Sequence, residues 1–301
     1  MSDLPDRITA YYAPAGYEAE LERELRRVVL RKGRLFIAAD EPQPVHWIQN
    51  LWEQPRAVAV DSINDAARKL KAVQRNWAHH ALEFPGRESL IQAALPHVSS
   101  RPLDFLQPLP AAPMGAFTLL EKNLLLYSAP CSSPFPRGEV HFNEDKETPP
   151  GRAYLKLWEL LTLRGDAPGP EDTVIDLGGS PGGWTWVLSE LGCRQVISID
   201  RAPLAPEIEA RANVDYRKGD AFALDPLPEV TWVFSDVICE PERLYDLVQK
   251  WIQAGHTRFV CTLKFKGQAD HATIAKFQAI PGARIQHLFA NKHELTWTLG
   301  I

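Results

Sequence analysis

Hydrophobic positions in the second half of the chain switch repeatedly between two periods. Short apolar runs suited to strands occur at Thr173–Leu177, Gln195–Ile199, Val214–Arg217, Trp232–Ser235 and Arg258–Leu263. Between them the apolar positions recur at helical spacing, over about 152–163, 184–191, 206–212, 242–254 and 269–278. Strands alternating with helices predict a parallel, doubly wound α/β sheet. Two further strands, near 285–288 and 295–299, are joined by Phe289–Glu294 and predict an antiparallel hairpin closing the sheet.

The first half carries a different pattern. Ile8–Tyr12 predicts a short strand and Ala13–Gly16 a turn. Leu21, Leu25, Val28 and Val29 predict a helix over about 17–30, Leu35–Ile37 a strand, Arg56–Val60 another strand, and 61–78 a helix. Phe117–Leu119 and Leu124–Tyr127 read as a hairpin. This is a small α+β domain over 1–127. Pro130, Pro134, Pro136, Pro149 and Pro150 then break all periodicity, so 128–150 reads as a connecting segment before a domain over 151–301.

Composition narrows the class. Hydrophobic residues make up 45% and charged residues 24%, as in globular proteins. No apolar run approaches the length of a membrane span, and Met1–Arg7 lacks the basic and apolar regions of a secretory leader. Cys131, Cys193, Cys239 and Cys261 are scattered and form no CxxC pair, which predicts no metal site and a reducing, cytoplasmic setting. Net charge is −5, with 16 basic against 18 acidic residues up to position 145 and 17 against 20 after it. Nucleic-acid binding by a whole basic domain is therefore excluded, and any such contact must use local patches.

The sharpest local feature is Asp176-Leu177-Gly178-Gly179-Ser180-Pro181-Gly182-Gly183-Trp184, directly after a strand and opening a helix. Ligands bind at this end of a doubly wound sheet. Glycines allow close backbone approach, and the helix N-terminus offers N–H groups to an anion. The spacing is not G-x-G-x-x-G, and Pro181 removes an N–H that a pyrophosphate cradle would use. Asp200 ends the next strand, placed to accept from the two hydroxyls of a ribose. Asp220 follows the third strand, the position at which methyltransferases commonly set an acid on the adenine amino group. The pattern favours S-adenosylmethionine, held by Gly178, Ser180, Pro181, Gly182, Gly183, Trp184, Asp200 and Asp220, over a dinucleotide.

Asp-Leu-Gly-x-x-Pro-Gly-Gly-Trp resembles the FtsJ/RrmJ group of RNA ribose 2′-O-methyltransferases, within which the chain is most similar to RlmM-type enzymes acting on large-subunit ribosomal RNA. The resemblance covers roughly 128–301, through Ser132–Phe135, Arg152–Leu157 and Phe289–Leu295 as well as the glycine corner. It implies a class I (Rossmann-like) methyltransferase fold and a Lys-Asp-Lys-Glu tetrad. Matching positions are Lys156, Asp236, Lys264 and Glu294, with Asp236 also beside the cofactor. It further implies an N-terminal RNA-positioning domain of ferredoxin-like and THUMP type, here shortened, and a monomer with RNA as partner.

The chemistry asks for such a set. A sulfonium methyl is already electrophilic, so the difficulty lies in the ribose hydroxyl. Lys264 is the candidate base or steering group, and a base lysine needs its pKa lowered from about 10.4. Lys156 would lower it, while Asp236 and Glu294 would raise it. Orientation of the hydroxyl by all four groups is the reading that does not depend on which effect wins. The alternatives are the same chemistry on a cap or transfer RNA, a non-catalytic RNA-binding module, and an NAD-dependent oxidoreductase. Lys266, Lys276, Lys292 and His293 are candidates for a basic rim, against ordinary surface charge. The Arg23–Arg34 and Arg68–Arg75 runs read as solvated helix faces, and His79-His80 as structural.

Overall fold

A computed structural model describes residues 4–301. Residues 1–3, where the stretch read for a leader begins, lie outside the described residues. Contacts divide the chain into two units, Met1–Leu103 with Leu109–His141, and Asp104–Pro108 with Phe142–Ile301.

The first unit holds two four-stranded sheets. One contains β1 (Ile8–Tyr12), β2 (Val28–Lys32), β3 (Leu35–Ala39) and β4 (Asn50–Trp52), in the order β2-β3-β1-β4 and antiparallel throughout, with α1 (Glu18–Glu24) joining β1 to β2. The other contains β5 (Arg56–Ala59), β6 (Trp77–His79), β7 (Gly115–Glu121) and β8 (Leu124–Ser128), in the order β5-β8-β7-β6. Helices α2 (Ile63–Val73) and α3 (Pro85–Ala93) belong to this part of the unit. Leu70, Trp77, Ile91 and Phe117 are fully buried in one core cluster there.

Two helices are shorter than the sequence predicts. The first stops at Glu24, because Leu25 turns extended and Arg27 takes a positive φ of 55°. The β-branched pair Val28-Val29 then enters β2, where such side chains fit better than in a helix. The second stops at Val73, and Trp77 turns inward on β6. Strand β4 and helix α3 go beyond what the hydrophobic pattern predicts: β4 has three residues, and α3 opens on Pro85.

The stretch 128–150 is shared between the units. It contains one short 3₁₀ turn, Pro136–Gly138, and Cys131 bridges to Trp52.

The second unit is a seven-stranded sheet, introduced in chain order. Helix α4 (Tyr154–Arg164) precedes β9 (Thr173–Leu177), α5 (Gly183–Glu190), β10 (Gln195–Asp200), α6 (Pro206–Glu209) and β11 (Val214–Lys218). Then come β12 (Trp232–Ser235), α7 (Pro241–Gln253), β13 (Phe259–Lys264), α8 (His271–Gln278), β14 (Arg284–Gln286) and β15 (Glu294–Leu299). Strand order is β11-β10-β9-β12-β13-β15-β14, with β15 antiparallel to both its neighbours. This is the class I methyltransferase fold, with β15 inserted inside the edge strand β14. The switch point lies between β9, which pairs with both β10 and β12, and β12. Val174, Ile175 and Leu177 of β9 are completely buried. Tyr154, Trp158 and Trp186 pack with ring centroids 4.8 to 5.9 Å apart and fasten α4 to α5. Among the described residues, no helix is long and apolar enough to cross a membrane.

Candidate active site

The glycine corner connects β9 to α5. Gly178 has φ +83°, and a Cβ there would lie 2.8 Å from Val237 Cβ, so the corner presses on the residue after Asp236. Gly179 covers a buried polar cluster, where a Cβ would come within 2.2 Å of Ser198 Oγ and 2.9 Å of Asp176 Oδ2. Gly182, at φ +119°, occupies the N-cap position of α5, and no side chain caps that helix end. The Ser180–Pro181 peptide is cis. Gly183 begins α5, and Trp184 is buried with its indole N–H donated to the Ala153 carbonyl at 3.0 Å.

Of the two acids expected around an adenosine, Asp200 stands against this corner, and Asp220 pairs with Arg201, the residue after Asp200. Asp200 Oδ2 accepts from Ser180 N at 3.1 Å and Oδ1 from Ala202 N at 3.0 Å. A carboxylate offers about four lone-pair sites, so each oxygen keeps room for one hydroxyl. Asp220 accepts from Phe222 N at 3.0 Å and pairs with Arg201. These bonds hold its carboxyl below the usual range, the Phe222 amide first and the Arg201 guanidinium second.

The four residues of the expected tetrad come together where β12, β13 and β15 meet α4. Lys156 on α4 is 7% exposed. Its ammonium donates to both oxygens of Asp236, at 2.6 and 2.8 Å, and lies 3.2 Å from Glu294 Oε1. Lys264, at the end of β13, lies 3.0 Å from Asp236 Oδ1 and donates to the Asp236 carbonyl at 2.5 Å. Lys264 and Glu294 are direct cross-strand partners of β13 and β15. Thr262 adds a hydroxyl donor to Asp236 Oδ1 at 2.6 Å. Burial opposes ionisation of Asp236, yet the Lys156 and Lys264 ammoniums and the Lys156 and Thr262 hydrogen bonds outweigh it, so its pKa is lowered. Lys156 also stands 5.8 Å from the Trp184 ring centroid, which ties the tetrad to the corner.

Two acids here carry no role in the sequence reading, although Asp176 opens the glycine motif. Asp176 is completely buried on β9 and accepts from Thr185 Oγ1 at 2.7 Å. Burial pushes its pKa up to about 7. Glu159, on α4 one turn after Lys156, is also buried and pushed up to about 7. An acid inside an apolar strand, and another inside the apolar run Leu155–Leu163, were the available signals.

Two of the four suggested rim residues are paired with acids. Lys266 pairs with Glu240 at 3.1 Å and Lys276 with Glu242 at 2.6 Å. In the first unit Arg23, Arg31, Arg68 and Lys69 are likewise paired with acids. His80 is completely buried, and burial lowers its pKa to about 3.

Residues 150–278 match the model of the FtsJ-like methyltransferase family. Ribosomal RNA large subunit methyltransferase M of Halorhodospira halophila is 38% identical over 107 residues, covering 35% of this chain and 31% of that protein. The protein of the same name from Azoarcus sp. is 32% identical over 54% of this chain and 49% of its own length. That from Marinomonas sp. is 27% identical over 83% of this chain and 78% of its own. The chain thus spans a third to a half of the length of the first curated relatives it matches, and more of the Marinomonas protein. Over residues 150–278, within its second unit, the chain is thus similar to the FtsJ-like methyltransferase family.

Proposed function

We propose that the protein transfers a methyl group from S-adenosylmethionine to a ribose 2′-hydroxyl of large-subunit ribosomal RNA. The observation that carries this reading is the convergence of Lys156, Asp236, Lys264 and Glu294 beside a glycine corner. When bound, S-adenosylmethionine supplies a methyl group on a sulfonium, already activated for displacement. Gly178, Gly179 and Gly182 let the corner pack directly on Val237, on the Ser198–Asp176 cluster and on Ile208, where a Cβ would collide, and the uncapped start of α5, from Gly183 and Trp184, offers N–H donors to an anionic group. Ser180 and Pro181 shape the corner, Asp200 takes the ribose hydroxyls and Asp220 the adenine amino group.

On this reading the protein residues act by orientation. Asp236 gathers both ammoniums, so Lys264 is fixed beside the place where the acceptor hydroxyl arrives. Lys156 and Glu294 complete a balanced set of two positive and two negative charges, which holds the hydroxyl in line without a net field. Held as an ammonium, Lys264 orients the hydroxyl oxygen and does not take its proton, which passes to solvent water as the methyl–oxygen bond forms and the methyl–sulfur bond breaks.

The same proposal gives the first unit an RNA-positioning role, as a shortened ferredoxin-like and THUMP-type domain. Two observations support it. The order β4-β1-β3-β2 with antiparallel pairing is that of a ferredoxin-like sheet, with irregular chain at 40–49 in place of the second helix. A cavity of about 460 Å³ is lined by Arg75, His97, Arg101, Arg137 and His141, with Glu139 the acid among them. Glu139 engages Arg137 through both oxygens, at 3.0 and 2.8 Å. A reducing, cytoplasmic setting fits the four free cysteines, and the protein is proposed to work as a monomer.

The test is mass mapping of large-subunit RNA incubated with the protein and S-adenosylmethionine. A single added ribose methyl is expected. K264A should lower turnover by about 10²-fold or more while calorimetric affinity for the cofactor stays unchanged. A methyl on a base, or modification only of transfer RNA or a cap, overturns the assignment.

A further inference from the structure

The turn that delivers Glu294 is held by a residue with no part in the proposed chemistry. Glu159 is 3% exposed. Its two carboxylate oxygens accept from consecutive backbone amides, Oε1 from Phe289 N at 2.7 Å and Oε2 from Ala290 N at 2.8 Å. Asn291 follows, also buried, and donates to the Glu294 carbonyl at 3.3 Å and to Thr296 Oγ1 at 3.1 Å. The Lys292 amide points at Glu294 Oε1 from 3.4 Å. Glu159 thus holds the start of this five-residue turn and Asn291 and Lys292 hold its end on Glu294, whose carboxylate returns to Lys156 on the same helix. Helix α4 grips this segment twice, at the start of the turn and at its catalytic end.

We infer that Glu159 is a positioning residue, which as a carboxylate fixes the 289–293 turn and thereby seats Glu294 against Lys156. Only the ionised form accepts well at both oxygens; a carboxylic acid turns its own O–H toward one of the two N–H donors. The inference rests on the proposed methyl transfer for its effect on turnover, but not for the geometry it describes.

The protonation state of the clamp is set locally. Burial raises Glu159 to about 7, opposed by the Phe289 and Ala290 amides. The ionisable groups on the surrounding elements are Lys156, engaged with Asp236, and Arg164, hydrogen-bonded to Gln286 at 2.8 Å, both on α4. On α5 there is Glu190, paired with Arg211, and along the turn His287, Lys292 and His293. Burial lowers His287 to about 4, so it stays neutral throughout the range in question. Near neutral pH the clamp thus passes from one good bond to two.

The experiment follows the amide proton shifts of Phe289 and Ala290 by NMR in the full chain between pH 5.5 and 8.5, with kcat measured over the same range. Both amides are expected to titrate together with a midpoint near 7, and kcat to rise across it. In E159Q the amide titration should vanish. Its kcat should fall about tenfold with cofactor KM unchanged, and the pH limb should be lost. Wild-type amides that do not titrate, or an E159Q enzyme that keeps the limb, overturn the inference. If E159Q does not fold, the wild-type titration decides alone. Full activity of K264A would instead sink the methyl-transfer reading and leave the amide result standing.

Discussion

Asp176 shows how one buried acid marks the whole fold with pH dependence. Burial raises its pKa to about 7, from about 3.8 in a solvated chain. The folded state therefore holds a proton across that window which the unfolded state has released. Its stabilising share is complete below about pH 4 and is lost as pH climbs to about 7. D176N should flatten the slope of unfolding free energy by up to about 1.4 kcal/mol per pH unit, measured by urea denaturation at pH 5, 6, 7 and 8. A residual slope from Glu159, which titrates in the same direction, should remain. An unchanged slope in D176N would show that Asp176 is ionised in the fold. The four tetrad candidates were legible through the likeness of the segments around Lys156, Asp236, Lys264 and Glu294 to the FtsJ/RrmJ group, and for the last three the hydrophobic pattern also marks the strand end beside them. Asp176 and Glu159 were not, since burial and the identity of backbone partners are products of packing.

At the level of elements, the glycine corner works by exclusion. Gly179 sits over Ser198, Thr185 and Asp176, whose hydroxyls and carboxylate form one buried cluster. A methyl group added there has nowhere to go, since Ser198 Oγ would be 2.2 Å away. G179A should destabilise the protein by about 1–3 kcal/mol and weaken calorimetric cofactor binding, whereas G151A, at a position with open space, should do neither. Equal stability of the two variants would refute this account of the corner. The parallel strands were readable from their apolar runs, and most of their ends agree within a residue or two. The first half was less readable. Val28 and Trp77 carry apolar side chains at spacings a helix would also produce, and only the extended backbone at Leu25 and Gln74 decides against one. Three-residue strands such as β4 leave too few positions for either period to show.

For the molecule as a whole, charge predicts how RNA would be held. With a net charge of −5, no broad field draws a polyanion in. Affinity must come from a few sites such as the cavity of Arg75, Arg101 and Arg137. R75A/R101A should weaken RNA binding and reduce the slope of log affinity against log salt by about 0.7 for each single-strand phosphate that is no longer neutralised. Cofactor affinity should not change. A salt slope equal to that of the unaltered protein would remove the cavity from the RNA path.

Strand β15 lies between β13 and β14 and runs against both, with Glu294 opposite Lys264. In such a pairing, displacement by one position turns each side chain to the other side of the sheet. An extra residue between Asn291 and Glu294 would therefore leave the cofactor cradle intact and yet aim the acid away from its lysine. Homologues that retain the reaction are thus expected to vary the spelling of this connection freely while conserving its length.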